Sequence, residues 1–223
     1  MIQSFDFSFL TGYRHVIFHG IYITLLLITV GAALGLAVSI LCTWARLFCP
    51  AWVRAFVTGY VEFVRNTPFL IQLFFIFFGL PQLGISMSEM TAAVVAMTIN
   101  LGAYGTEIVR AGVQATPGGQ WEAAASLGMS RNQAFWRVVL VPALQKMWPT
   151  LSSQIVIVML GSAVVSQIAV DDLTFAANFI QSRTFRAFEI YFVVTAIYIV
   201  LAALVRLALR LLGRWVLGTG DAS

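Results

Sequence analysis

The sequence predicts an all-α integral membrane protein, a bundle of five transmembrane helices. Of its 223 residues, 60% are hydrophobic and only 10% are charged, and the mean hydropathy is +0.91. A soluble domain carries about 25% charged residues, so this composition excludes an ordinary soluble enzyme. Five apolar runs reach the length of about 20 residues that a helix needs to cross the bilayer. We treat residues 1–223 as a single transmembrane domain.

The five predicted spans cover residues 17–43, 56–80, 91–113, 149–170 and 187–212, and polar connections separate them. The first span contains Gly31 and Gly35, a small-x-x-x-small spacing that lets two membrane helices approach closely. The second span is interrupted by Glu62, Arg65 and Pro68, and a proline in a membrane helix frees a backbone carbonyl.

The basic residues predict the orientation. Cytoplasmic loops carry an excess of Lys and Arg, and five spans divide these residues nine to three, with Arg65 left uncounted. The nine-residue side holds Arg46, Arg54, Arg110, Arg131, Arg137, Lys146, Arg206, Arg210 and Arg214, and the other holds Arg14, Arg183 and Arg186. The N-terminus is then expected outside and the C-terminus in the cytoplasm.

The connection between the third and fourth spans, residues 114–148, has the pattern of two short cytoplasmic helices. Residues 121–127 form an Ala-rich segment that places Glu122 in the predicted first turn, where the helix dipole favours an acid. Gly128 follows, as a helix-ending glycine does. Ser130 and Gln133 fit a capping box that begins a second helix, and Pro142 predicts its end or a kink.

Three segments resemble one family. Residues 120–130 (QWEAAASLGMS) resemble the EAA loop of bacterial ATP-binding-cassette (ABC) importers. Residues 103–112 (AYGTEIVRAG) resemble the third-span signature of the polar amino-acid subfamily of these importers. Residues 65–73 (RNTPFLIQL) resemble the second-span signature of the same subfamily. That subfamily carries histidine, glutamine, glutamate, arginine and opines. The resemblance implies a type I permease subunit in the bacterial inner membrane, with a periplasmic N-terminus. The EAA loop is then the coupling helix that docks on an ATPase, through Glu122, Ala123, Ala124, Ala125 and Gly128.

The resemblance also implies the partners. They are two cytoplasmic ATPase subunits, a second permease subunit of like or unlike sequence, a periplasmic substrate-binding protein, a small polar amino acid and membrane lipid. No basic cluster with interleaved aromatics suggests nucleic acid. The chain lacks a G-x-x-x-x-G-K-[ST] phosphate loop. We therefore expect no enzyme activity and no cofactor or metal in this chain, with ATP and Mg²⁺ held by the partner ATPase.

Polar residues inside the spans are the remaining candidates, because such groups face the bundle interior or water. Candidates for the translocation pathway are Gln72, Asn100, Tyr104, Ser162, Ser166 and Gln167. Candidates for an intramembrane charge or hinge role are Glu62, Arg65, Pro68, Glu107 and Arg110. The spacing i, i+3 predicts the ion pairs Glu62–Arg65 and Glu107–Arg110, which are structural rather than pathway groups in the alternative interpretation.

Four residues near the outer ends of the spans have simpler interpretations. Asp171 and Asp172 follow the fourth span and are expected to be solvated, with contact to a binding protein or a cationic solute as the alternative. His15 and His19 are four residues apart, but a metal site needs further ligands, so we interpret them as interfacial side chains.

Other functions remain open at this point. A self-contained secondary carrier or channel explains the spans but not the Ala-rich cytoplasmic segment. A membrane enzyme needs a convergent nucleophile, acid–base pair or metal cluster, and the sequence shows none. A non-transporting assembly subunit is the third alternative.

Overall fold

The structure is a computed structural model that describes residues 7–218, and all regular structure in that part of the chain is helical. The helices are α1 (Leu10–Phe48), α2 (Ala51–Arg65), α3 (Phe69–Phe74), α4 (Glu89–Gln114), α5 (Gly118–Ser126), α6 (Arg131–Ala134), α7 (Leu140–Gly161), α8 (Leu173–Thr184) and α9 (Ala187–Leu212). Four helical stretches are long and apolar enough to cross a membrane, and α2 with α3 makes a fifth if this bent pair is one span. This agrees with the predicted five-span bundle.

Helices α1 and α4 form the centre of the bundle because small residues let their backbones approach. A Cβ added at Gly31 would lie 3.2 Å from Met97, and one added at Gly35 would lie 2.8 Å from Leu101. The predicted close approach at these two glycines is therefore confirmed. One turn on, the Ser39 hydroxyl donates to the Gly35 carbonyl at 2.7 Å and lies 3.2 Å from the Gly102 carbonyl of α4.

The second predicted span is broken. Helix α2 ends at Arg65, α3 begins at Phe69, and the two segments are inclined by 113°. Pro68 lies in the break with an extended backbone, φ −64° and ψ 140°. After α3 the chain forms a π turn at Phe75–Gly79 and a 3₁₀ turn at Leu80–Leu83. The bend places the amino end of α3 against α4, inside the bundle.

The second cytoplasmic helix is not a separate element, which corrects the prediction from Pro142. The helical stretch that begins at Arg131 continues to Ile168. It passes through a π turn at Phe135–Val139 into α7 and ends in a 3₁₀ segment, Ser162–Ile168. Pro142 would clash with a carbonyl in the preceding turn of a regular α-helix, and here the preceding turn is the wider π turn. Pro149 also lies within α7 without ending it.

The sequence does not predict the helix that lies in the connection between the fourth and fifth spans. Helix α8 packs against α1 and α9, and Leu173, Ala176, Ala177 and Ile180 are buried. Its start lies close to α1, since a Cβ added at Gly20 would be 2.9 Å from the Asp172 carbonyl oxygen.

Helix α9 closes the bundle and exposes most of its surface. Only Ile190, Val194 and Leu201 are buried on it. The Trp148 indole N–H of α7 donates to the Leu209 carbonyl at 2.8 Å, and the Gln145 amide donates to the Leu217 carbonyl. These two bonds attach the final turns of α9 to the start of α7.

Candidate functional site

Helix α5, the predicted coupling helix, begins earlier than expected. It begins at Gly118, directly after Pro117, and its first turn contains no acidic residue. Glu122 therefore lies in the second turn, not in the first, where the sequence analysis placed it. The correction weakens the dipole argument for Glu122, because the effect falls off beyond the first turn.

The end of α5 is fixed by Gly128. The Gly128 N–H donates to the Ala125 carbonyl at 2.9 Å, and the Met129 N–H donates to the Ala124 carbonyl at 3.1 Å. This pair of bonds is a Schellman motif, which requires a left-handed residue after the helix. Gly128 is this left-handed residue, with φ +74°. The conformation is unfavourable for any residue that has a side chain, but not for glycine. A Cβ there would meet no neighbour, so the restriction comes from the backbone alone.

The three alanines of α5 do not share one role. Ala124 is buried against the chain itself, with 2% of its surface exposed. Ala123 and Ala125 are exposed, and so is Glu122. Ala123 and Ala125, like Glu122, are therefore open to contact with a partner. Ala124 instead packs against the rest of the chain.

A cleft of about 570 Å³ separates α5 from the end of α1. Leu47 and Phe48 of α1 line one side, Trp121 and Glu122 line the other, and Arg131 lies at its edge. The cleft therefore combines apolar side chains with one acid and one base.

The segment after α5 is anchored to α1. The Ser130 and Gln133 side chains form the predicted capping box, so this prediction is confirmed. The Trp44 indole N–H of α1 donates to the Asn132 side-chain oxygen at 2.6 Å. The rings of Phe48 and Phe135 meet edge to face, with centroids 5.6 Å apart. These two contacts attach the segment after α5 to α1.

At the end of the bundle where α5 lies, Glu107 pairs with two arginines. Its carboxylate accepts from Arg110 at 2.6 Å, the expected i, i+3 pair, and also from Arg46 of α1. Arg110 donates further to Gln114 at 2.8 Å. The contact with Arg46 was not predicted, because 61 residues separate the two side chains along the chain.

The other expected ion pair does not form. Among the residues that the structure describes, Glu62 makes no ion pair with Arg65. The Arg65 guanidinium instead lies 5.6 Å from the ring centroid of Tyr104, and the Tyr104 hydroxyl donates to the Arg65 carbonyl at 3.4 Å. Both side chains are exposed on α2.

Gln72 holds the helix break together. Its side-chain amide donates to the Val64 carbonyl at 2.7 Å and to the Thr67 carbonyl at 3.0 Å. Proline has no N–H, so Pro68 cannot donate to Val64 as a helical residue would. The Gln72 side-chain oxygen accepts from Asn100 of α4 at 3.1 Å, so two of the pathway candidates are bonded to each other.

The candidates on the fourth span lie near this break. Ser162 and Ser166 donate to carbonyls of their own segment, Met159 at 2.7 Å and Ala163 at 2.9 Å. Gln167 is exposed. Their 3₁₀ segment packs against α3, which carries Gln72, and against α4, which carries Asn100 and Tyr104.

Asp172 is buried, which corrects the expectation that it is solvated, whereas Asp171 is exposed. The Asp172 carboxylate caps α8 by accepting from the Phe175 N–H at 2.8 Å, and it also accepts from the Tyr198 hydroxyl of α9 at 3.3 Å. The Leu173 N–H donates to Thr24 of α1 at 3.2 Å. Asp172 lies in the connection after the fourth span, and burial raises its pKa from 3.8 to about 6.

His15 and His19 are exposed and line an outer cleft with Asp171. No group of three or more His, Cys, Asp or Glu side chains in residues 7–218 is placed to hold a metal ion.

Comparison with known proteins matches these features to one family. The family described as "Binding-protein-dependent transport system inner membrane component" matches residues 31–218. The glutamine transport system permease protein GlnP of Escherichia coli (strain K12) is 34% identical over 215 residues, 95% of this chain and 98% of that protein. A probable amino-acid ABC transporter permease protein of Sinorhizobium fredii, y4tF, is 39% identical over 171 residues, 72% of this chain and 70% of that protein.

A solved structure has the same architecture. The crystal structure of an amino acid ABC transporter with histidines matches with a TM-score of 0.85 and 34% identity, covering 96% of this chain and 100% of that chain. The match covers nearly the whole of both chains, so they share one fold.

Proposed function

This chain belongs to the inner-membrane components of binding-protein-dependent transport systems, and we propose that it conducts a small polar amino acid across the bacterial inner membrane. It is a multi-pass permease subunit of an ABC amino-acid importer, and ATP hydrolysis belongs to the partner ATPase. Nothing supports the alternative of a self-contained carrier or channel. The ATPase and binding-protein partners are those of the family.

The exposed face of α5 carries the coupling proposal. Glu122, Ala123 and Ala125 face away from the bundle, while Ala124 and the Gly128 turn fix the helix to it. Small side chains let a partner groove approach the helix backbone, and Glu122 offers a charge for a basic partner group. The cleft beside α1 extends this surface and supplies apolar contact.

We propose that the complete transporter contains two ATPase subunits, with ATP and Mg²⁺, and two permease subunits of like or unlike sequence. A periplasmic binding protein delivers the substrate. The nine-to-three distribution of basic residues supports a periplasmic N-terminus and a cytoplasmic C-terminus. The charged cluster of Glu107 with Arg46 and Arg110 then lies near the cytoplasmic side, on the same side as α5.

The proposed pathway runs beside the break between α2 and α3. Broken membrane helices are typical of substrate sites, because their irregular backbone must line protein or a water-filled cavity. Tyr104, Gln167 and the two serines of the 3₁₀ segment are the proposed contacts for a polar solute. Gln72 and Asn100 act on the pathway indirectly, since their amide groups hold the break in place.

The mechanism follows from the attachments of α5. Closure of the ATPases on ATP displaces the coupling helix, and the Trp44–Asn132 bond and the continuous α6–α7 stretch pass this displacement to the spans. ATP can shift the equilibrium between the two arrangements of the spans only if the transporter binds ATP more tightly in one of them. The pathway then opens alternately to the two sides of the membrane.

An arginine on the exposed face of α5 tests the coupling surface. We expect Ala125→Arg to lower ATPase co-purification and uptake of a radiolabelled amino-acid mixture by more than about tenfold, because a residue central to an interface contributes about 2 kcal/mol. Ala51→Arg is the matched control, since Ala51 is also exposed but lies on α2. Normal uptake by an inserted Ala125→Arg variant would show that α5 is not the coupling surface.

A further inference from the structure

Helix α9 carries a row of arginines near its carboxyl end. Arg206 and Arg210 lie on α9, and Arg214 follows in the π turn Gly213–Leu217. The spacing of four residues places Arg206 and Arg210 on one face, separated by about 6 Å along the axis. The row begins inside the span and ends where Trp215 is 87% exposed.

The surroundings of this row are apolar and open. Leu207 is 49% exposed and Leu211 is 53% exposed on the same helix. Exposed leucines on a membrane-spanning helix face acyl chains, and an exposed Trp is typical of the interface between chains and headgroups. Arg206 lies nine residues before Trp215, about 13 Å deeper along the axis. Its side chain must therefore extend along the helix to bring its charge to the headgroups.

The residues that the structure describes offer Arg206 and Arg210 no anion. Residues 190–218 contain no Asp or Glu. Within the described residues 7–218, Arg206 and Arg210 make no hydrogen bond, ion pair or ring contact. Arg46 and Arg110, by contrast, share Glu107. An unpaired arginine that faces hydrocarbon is unfavourable, so an anion from outside the chain has a large effect there.

We propose that Arg206 and Arg210 bind the phosphate of an anionic phospholipid whose acyl chain lies along Leu207 and Leu211. A guanidinium binds phosphate through two parallel hydrogen bonds, and two of them one turn apart can hold one headgroup. The adjacent leucines supply the apolar surface that a free phosphate would not use. The site extends beyond transport, since neither the coupling helix nor the pathway candidates take part in it.

Quenching of Trp215 fluorescence tests the site. The whole transporter is reconstituted into phosphatidylcholine vesicles that contain either brominated-chain phosphatidylglycerol or brominated-chain phosphatidylcholine. The signal of Trp215 is the difference between the wild type and Trp215→Phe. We expect stronger quenching by phosphatidylglycerol, and a loss of about thirtyfold in relative association for Arg206→Gln/Arg210→Gln. That loss corresponds to about 2 kcal/mol, or about 1 kcal/mol per arginine.

Two further variants separate this site from general charge and folding effects. Arg54→Gln/Arg137→Gln removes the same charge from exposed positions on α2 and in the π turn before α7, and it is expected to keep the preference. Arg206→Lys/Arg210→Lys keeps the charge, and we expect it to keep most of the preference for phosphatidylglycerol. Equal quenching by both lipids in the wild type, or an unchanged preference in Arg206→Gln/Arg210→Gln, would overturn the proposal.

The remaining outcomes identify other ligands for the row. Loss of the ATPase or of a second permease from purified Arg206→Gln/Arg210→Gln would show that the row binds protein, and the lipid proposal would fail. Inorganic phosphate, compared with chloride at equal ionic strength, is expected to leave the preference unchanged. Abolition of the preference by phosphate alone would show that a free anion occupies the site.

Discussion

Pro68 and Pro142 have opposite consequences in this bundle. At Pro68 the helix breaks and turns through 113°, whereas the stretch containing Pro142 stays helical from Arg131 to Ile168. The difference lies in their neighbours. Around Pro68, the Asn66 amide donates to the Glu62 carbonyl at 2.8 Å, and the Thr67 hydroxyl donates to the Phe63 carbonyl at 2.9 Å. Together with Gln72, these side chains satisfy the carbonyls that the break releases.

Around Pro142 the sequence reads VVLVPALQ, which offers no such donor before Gln145. A break there would leave carbonyls unsatisfied in an apolar environment, where each costs several kcal/mol. The π turn at Phe135–Val139 accommodates the proline at a smaller cost. The comparison teaches that a membrane proline breaks a helix only where nearby side chains replace the lost backbone bonds.

The largest test removes the replacement bonds. Gln72→Leu leaves the Val64 and Thr67 carbonyls and the Asn100 amide without their partner. We expect a destabilisation of about 4 kcal/mol, since each buried unsatisfied group costs about 1–3 kcal/mol. Thermal unfolding in detergent measures the effect, and Gln167→Leu is the control because Gln167 is exposed. Equal unfolding temperatures for the two variants would contradict the capping role of Gln72.

A third helix end, without any proline, extends the comparison to pH. The chain leaves its helix at Ala169, φ 62°, and Asp172 begins the next one. Because the folded pKa of Asp172 is raised, the folded state binds more protons than the unfolded state between pH 3.8 and about 6. This contribution to stability is present at low pH and is lost as pH rises through that window.

Asp172→Asn isolates this contribution, because its side chain does not titrate and its amide oxygen can still accept from the Phe175 N–H. The Tyr198 hydroxyl, which donates to the second carboxylate oxygen of Asp172, can accept from the amide NH2 group instead. We expect the stability of the wild type relative to Asp172→Asn to fall by about 2 kcal/mol between pH 4 and pH 7, at 1.36 kcal/mol per pKa unit, because part of the loss already occurs below pH 4. Denaturation in detergent across this range measures it. A difference that does not change with pH would show that Asp172 is not titrating in the buried site.

The smallest test concerns the prolines themselves, and it predicts opposite signs. Pro142→Ala restores a helical N–H and removes a clash, so we expect a gain of about 1 kcal/mol, below the upper value of about 3 kcal/mol for a helix-interior proline. Pro68→Ala keeps the same bonds but frees the unfolded chain, so we expect a loss of about 0.4–1 kcal/mol. Equal signs in thermal unfolding would mean that the two sites do not differ as proposed.

Sequence reasoning predicted the features that are encoded within a few residues. The Gly128 helix end and the Ser130–Gln133 capping box depend on neighbours within one turn, and both were predicted correctly. The first residue of α5 was placed three positions late, because Gly118 and Gly119 do not have the pattern of helix residues. Helix α8 was missed because it is short and less apolar than the spans on either side.

The sequence by itself determined that this chain crosses a membrane, where its five apolar runs lie, and where its coupling helix ends. Hydrophobicity and capping are local properties, so they can be read from adjacent residues. Only the tertiary structure decided that Arg46 joins Glu107, that Gln72 bonds Asn100, and that Asp172 is buried. Each of these contacts joins different helices, and a charged or amide side chain has the same sequence pattern whether it meets water, lipid or a distant partner.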